Sequence, residues 1–528
     1  MTVAPERLPA VADPDAAPQP DVASGARVAS DRPVTALRRL LAVAAGIAIA
    51  AYVVVALIRL RSPVELEWIE GGMVDQVRRM LDGEQPYHEP HLDSVPYLYT
   101  PLFTWLGAAV SWFVGVGPEP LRAVSLVSSL VAFWATARLV VAETADRWAG
   151  FVGAGILAAS FVVCGAWFDV ARVDSLMLAL TLCGALRIRT ATTDRDAVWG
   201  GLLLVLAVLA KQDAALPAVA VVVWLATRDR RRGAVAGATF IGLLVAVSVA
   251  LQVSSGGWFW FYVVEVPRSH ELVPASMLGF FTDDLRPYTW LLAAGLIGMF
   301  AARRRDVGAA AAGTGAAGTG DGVDLRYVAA FAASMVLCGW AGRIHSGGWD
   351  NVLMPAVAAM AVLGGLAAAT ARRVPSRWVA VACLALLLAQ FWALRWSPQD
   401  HVPADRDERT AVAEVAALAD LPQPVYLPAH PWLLALSGSE PTAQSAALAD
   451  VLRGPRPEGR RLSAELDRAF REQRFAAVVV DSQRWMSYLP DSFEEHYRYE
   501  RDLLQGGRVS ESLTGFRTGP AEVWVPRD

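Results

Sequence analysis

A chain of 528 residues that is 55% hydrophobic and 19% charged, with a mean hydropathy of +0.37, carries far more apolar side chain than a soluble protein of this size needs. A formal net charge of -4, with basic residues scattered through short loops, gives no footprint for a nucleic-acid partner. Four cysteines set in or at the ends of apolar runs exclude a disulfide scaffold or a zinc cluster, and continuous rather than alternating runs exclude a β-barrel, so the chain reads as a multi-pass membrane protein.

Residues 1–35, rich in Ala, Pro, Asp and Val, lack the apolar core and cleavage site of a signal peptide and read as a disordered cytoplasmic tail. From there to 395 the apolar runs predict an all-α membrane domain of about 11–13 transmembrane helices. The candidate spans are 36–60, 98–117, 120–142, 148–166, 173–190, 197–210, 213–227, 233–254, 288–302, 325–342, 351–370 and 376–395. Arg and Lys in short loops mark the cytoplasmic side, which places the loops at Arg187–Arg195, Arg228–Arg232, Arg303–Arg305 and Arg372–Arg377 inside. The loops at 61–97, 166–173, around Lys211, 255–287 and 343–350 then face outside. Three crossings cannot join two outside loops, so either one segment between 98 and 142 does not span, the favoured reading, or the charge rule misplaces a loop. Residues 303–324, low in complexity and rich in Gly and Ala, read as a flexible cytoplasmic loop. Beyond 398 the chain is as polar as a soluble domain. Strand-like stretches at 424–429 and 475–482 flank a helical one, which predicts a small external α/β domain over 398–528.

Five polar elements break the apolar pattern. The first, at 65–82, places Trp68, Met73 and Val77 at helical spacing, as in a helix lying in the membrane interface. Glu65 and Asp75 read as its solvated face. Glu67 and Glu70 stand three apart beside Trp68, and Gly71 and Gly72 let another backbone or a ligand come close. The second gathers Tyr87, His88, His91, Asp93, Tyr97 and Tyr99, a mixture that suits a sugar, although any single Tyr equally suits an interfacial aromatic belt. The third holds Asp169, Arg172 and Asp174, where Asp174 is either functional or a helix cap. In the fourth, Lys211, Gln212 and Asp213 interrupt an apolar stretch, and Lys211 can hold a lipid phosphate by charge. The fifth contains Arg343, His345, two glycines, Asp350 and Asn351, which is an anion-binding pattern or a plain loop capped by Asp350.

In this order the stretches "EWIEGG", "PYLYTPLF", "ARVDSLML" and "HSGGWDNVLMP" resemble the integral-membrane glycosyltransferases of the GT-C class, nearest the RgtA/B/C/D-like, protein O-mannosyltransferase-like branch. The resemblance covers residues 36–395. The chain departs from the adjacent "DE" common in that first loop, since Trp68 and Ile69 separate its two acids. The resemblance implies a hexosyl- or pentosyltransferase taking a sugar from a polyprenyl-phosphate donor to a hydroxyl of a glycan, lipid or protein acceptor at the outer face. It implies Glu70 as first choice of general base, with Glu67 second. Asp174 orients the acceptor or, as in some related enzymes, binds a divalent metal, for which Glu70 is the other candidate ligand. Lys211, Arg343 and His345 neutralise the leaving phosphate, while Tyr97, Tyr99, Arg172, Gln212, Asp350 and Asn351 complete the substrate site. Two other readings stay open: a transporter or lipid flippase, and an assembly protein whose C-terminal domain is the working part.

Overall fold

The computed structural model describes residues 32–311, 323–374, 376–454, 456–483 and 488–528. Most of the expected N-terminal tail, and 312–322 of the Gly/Ala loop, lie outside these residues. The first helix, α1 (Arg32–Leu60), has 29 residues and is about 43 Å long, more than the hydrocarbon layer requires. Glu70–Leu81 forms α2, Leu102–Val114 α3, Pro118–Thr144 α4, Arg147–Ala159 α5, Asp174–Arg189 α6 and Asp194–Ala210 α7. Ala215–Arg228 is α8, Arg230–Ser254 α9, Thr289–Ala311 α10, Leu325–Arg343 α11, Met354–Thr370 α12 and Arg377–Ala393 α13.

Among the described residues five helices are long and apolar enough to cross a membrane, or six if the bent unit that starts with α13 is one span. Several other expected spans are shorter. With 13 residues each, α3 and α5 reach only about 20 Å. The stretch 98–142, where one non-spanning segment was the favoured expectation, holds the short α3 and the long α4. The expected loop at 303–324 begins as helix, because α10 runs on to Ala311.

Helix starts follow their caps: Asp146 accepts from the Trp148 and Ala149 amides to open α5, and Thr193 with Asp196 forms a capping box on α7. Small residues set the packing. A Cβ on Gly155 would lie 2.3 Å from Cβ of Ala45, so α1 and α5 touch almost backbone to backbone, the contact that replaces a hydrophobic driving force in lipid.

The C-terminal part contains α14 (Asp405–Ala419), β1 (Val425–Tyr426), α15 (Pro431–Leu436), α16 (Ser445–Leu452), α17 (Pro457–Arg471), β2 (Ala477–Asp481), β3 (Tyr497–Asp502) and β4 (Pro520–Pro526). The strand order is β1-β2-β4-β3, with β1 parallel to β2 and the other pairs antiparallel. Every residue of β2 is buried because the strand is covered on both faces. Val478 and Val480 join the core that runs on into the helical bundle, while Ala477 and Val479 pack with Leu418 and Leu434 on the other side. The sheet therefore shares one core with the membrane domain, at the end of the bundle where the 61–97 loop emerges.

Candidate active site

The acids of the first loop meet different cations, each brought from a different part of the chain. Glu70, at the start of α2, is fully buried. Its carboxylate accepts from Arg122 Nε and Nη2 at 3.1 and 2.7 Å, and from the amides of Ala171 and Leu66 at 2.7 Å each. Arg122 also donates to the carbonyls of Arg59, Ser62 and Val64, stapling the chain as it leaves α1. Burial alone would raise the Glu70 carboxyl, but Arg122 and the two amides hold it below its ordinary value. With both oxygens committed, this group is an anchor, and its geometry does not suit the base role that the sequence resemblance suggested.

Glu67 differs. Its Oε2 accepts from Arg172 Nη1 at 3.1 Å and from the Ile69 amide at 3.1 Å, whereas Oε1 has no partner among the described residues. Complete burial raises its carboxyl to about 7, against the pull of Arg172 and with the help of the nearby Glu70 charge. Asp174, the first residue of α6, does not cap its helix. Its Oδ1 accepts from Lys211 Nζ at 2.9 Å and Asn351 Nδ2 at 3.0 Å, and Oδ2 is again unpartnered.

The partners of Glu67 and Asp174, not the two acids themselves, border one cavity of about 410 Å³; Glu67, Glu70 and Asp174 all lie buried behind its wall. Tyr99, Arg172, Lys211, Gln212, His345 and Asn351, drawn from four of the five polar elements, all line it. Arg172 Nη2 donates to the Tyr99 hydroxyl at 2.7 Å, and its guanidinium lies over the Trp167 ring. Among these six, two cations, one imidazole and two carboxamides thus face a space large enough for a sugar and a phosphate.

Other expected residues lie elsewhere. Arg343 makes a two-pronged pair with Asp284 at 2.9 and 3.0 Å and meets Asp350 at 3.2 Å, so it closes the 343–350 loop without lining the cavity. Asp350 faces Arg343 rather than the cavity. Tyr97 borders a separate space of about 30 Å³, room for a single water rather than a sugar ring. Gly71 and Gly72 admit side chains, not a ligand: a Cβ would sit 2.1 Å from Glu65 Oε1 at the first and 2.0 Å from the Tyr97 hydroxyl at the second. Glu65 and Asp75 are buried, not solvated, because α2 is covered by the C-terminal part. Asp75 pairs with Arg78 and Arg79, and Arg79 reaches on to the Pro441 carbonyl.

Sequence reading missed Arg122, although a lone Arg in an apolar helix is itself a signal. It also missed His270, Asp450 and Arg453, which line the cavity, with His270 Nε2 at 3.2 Å from Asp450 Oδ1. The last two come from α16 and its end, remote in sequence from every motif. For a divalent metal, the donor set does not fit the expected ligands: Glu70 is neutralised by Arg122 and Asp174 by Lys211, and the described residues hold no cluster of three metal-binding side chains.

The acidic first loop is pinned against α4, Arg172 and Asp174 stand at the head of α6, and the C-terminal part reaches the cavity through Ala446, Asp450 and Arg453. Residues 97–304 match the model of Glycosyltransferase family 87, a GT-C-type family. The fold is similar to that of ArnT from Cupriavidus metallidurans bound to undecaprenyl phosphate, with a TM-score of 0.51 and 14% identity over 75% of this chain and 84% of that one. It is also similar to the apo form of the Archaeoglobus fulgidus oligosaccharyltransferase, with a TM-score of 0.50 and 12% identity over 84% of this chain and 69% of that one. No curated protein matches the sequence. The fold is thus that of the GT-C membrane enzymes, and the partial family match points to glycosyl transfer.

Proposed function

We propose that the cavity transfers a sugar from a polyprenyl-phosphate donor to an acceptor hydroxyl at the outer face of the membrane. The observation that carries this reading is the junction of two unlike spaces at Gln212. On one side is the polar cavity with Arg172 and Lys211; on the other an apolar groove of about 470 Å³, bordered by Val208, Leu244, Val249, Phe259 and Val263. A phosphate in the first and an isoprenoid tail in the second match one molecule with two chemistries. The undecaprenyl phosphate bound in the solved ArnT structure is a ligand of that kind. The outer placement rests on the basic loops, which gather at the opposite end of the bundle.

In this reading the acceptor oxygen attacks the anomeric carbon, the bond from that carbon to the phosphate oxygen breaks, and the phosphate keeps the electron pair. Glu67 takes the hydroxyl proton through its unpartnered oxygen, at a pKa near neutrality that suits a base. Lys211 and Arg172 offset the charge left on the phosphate, and Asp174 holds Lys211 and Asn351 in place. The test is transfer by the purified protein in lipid discs, supplied with polyprenyl-phosphate sugars or with nucleotide sugars and a simple alcohol acceptor. Transfer from the lipid donors alone supports the reading; transfer from nucleotide sugars alone overturns it.

A further inference from the structure

His430 lies in the C-terminal part, just before α15, and is buried where that part meets the first loop. Its Nδ1 is 2.5 Å from Glu65 Oε2, and its Nε2 is 3.5 Å from Asp481 Oδ1 at the end of β2. Two carboxylates therefore flank one ring. An ionised carboxylate only accepts hydrogen bonds, so the imidazolium, with two N–H donors, is the form that serves both neighbours. The pair to Glu65 joins positions 365 residues apart and crosses from the soluble part to the loop that carries Glu67 and Glu70. It has company: Gln444 donates to the Trp68 carbonyl at 3.1 Å, and the Thr514 amide to the Leu66 carbonyl at 2.9 Å.

We propose that His430 is a positioning residue for the acidic loop, a proton-dependent latch by which the C-terminal domain holds Glu65 and, two residues on, Glu67 in register with Arg172. The inference rests on the functional reading above for its effect on transfer, but the latch is observable without it. The charged groups that face His430 are Glu65 from the loop, Asp481 from β2 and Glu414 from α14. Burial works against the imidazolium, yet Asp481 and Glu65 outweigh it and raise the ring to about 9 from its ordinary 6.5. A group raised on docking favours the docked state fully below 6.5 and loses that contribution as pH rises through 9. Asp481 and Glu414, each raised to about 7 mainly by burial, act in the same direction, since both also hold protons more tightly when docked.

The test uses the full-length protein in lipid discs and compares wild type with His430→Gln, which preserves one donor and removes the charge, and His430→Lys, which restores a charge without the ring. Hydrogen exchange of residues 62–70, corrected for intrinsic rates, is followed from pH 6 to 10. The expected result is protection in wild type that falls at least tenfold between pH 8 and 10, low protection in His430→Gln with no further fall between pH 8 and 10, and partial recovery in His430→Lys. In transfer assays His430→Gln should lower kcat while leaving the KM of the lipid donor within about twofold, and should abolish the alkaline fall of the profile. Equal loop protection in wild type and His430→Gln across the range would overturn the latch. A wild-type protein with pH-dependent protection but no transfer from any lipid-linked sugar would instead sink the functional reading and leave the latch standing.

Discussion

The helix α4 connects two ends of the bundle that handle charge in opposite ways. Near its start Arg122, 1% exposed, is locked to Glu70, 0% exposed, by two hydrogen bonds. About 30 Å further on, Glu143 pairs with Arg189 at an end where the other ion pairs are largely wet. There Arg231 and Asp194 are 82% and 40% exposed, and Arg228, Arg187 and Arg372 reach acids through water-accessible side chains. Exposed pairs contribute little, typically below about 1 kcal/mol, so under the proposed topology the basic end matters through its count of positive charges. The site end carries four pairs out of water, Glu70–Arg122, Glu67–Arg172, Asp174–Lys211 and Asp169–Arg59. Buried pairs seldom add stability over apolar packing, and losing one partner is costly. Their concentration here is the mark of a site in which geometry outranks stability.

Breaking the buried anchor should have the largest effect. Glu70→Gln or Arg122→Ala leaves an uncompensated charge with several orphaned partners and should cost roughly 3–5 kcal/mol. The measurement is the yield and thermal midpoint of monodisperse protein in detergent, with turnover expressed per folded molecule. A fully folded Glu70→Gln protein that had lost turnover would return the base role to Glu70. Next comes Glu67→Gln, which should keep folded yield near normal and lower turnover by about 10² to 10⁴, the usual contribution of a general base. Unchanged single-turnover rates would remove Glu67 from the reaction.

A smaller, graded effect follows from pH. The Glu67 carboxyl is raised to about 7, and a base works only when deprotonated, so the wild-type rate should fall about tenfold per unit below that value and level off above it, up to the pH at which the His430 latch releases. The acid limb should vanish in whatever activity Glu67→Gln retains; a limb that persists belongs to another group. At the far end of the comparison, Arg231→Ala removes one exposed pair and should shift the thermal midpoint by the equivalent of about 0.5 kcal/mol or less, with transfer intact. A larger loss would show that the wet end contributes more than orientation.

Much of the cavity lining was legible in the sequence. Tyr99, Arg172, Lys211, Gln212, His345 and Asn351 were each visible as polar residues at the edges of apolar runs, and the order of their motifs brought the GT-C resemblance. Arg343 and Tyr97 looked equivalent to them, yet Asp284 captures the first and a water-sized pocket the second. Nothing local separates a cation facing a cavity from one facing an acid, because the partner is 59 residues away.

What the sequence determined by itself is what depends on neighbours along the chain: the apolar content that commits it to a membrane, the caps that start the helices, the valine-rich strand, and the acidic loop flanked by glycines. Hydrophobic periodicity and capping are short-range, and they survive translation into structure. The tertiary structure alone decided which cation each acid meets. Glu65, Glu67 and Glu70 lie within six positions of one another, but His430, Arg172 and Arg122 come from three distant places to meet them. A buried carboxylate takes its protonation and its role from the cation that reaches it, and the fold, not the spacing of acids along the chain, brings that cation there.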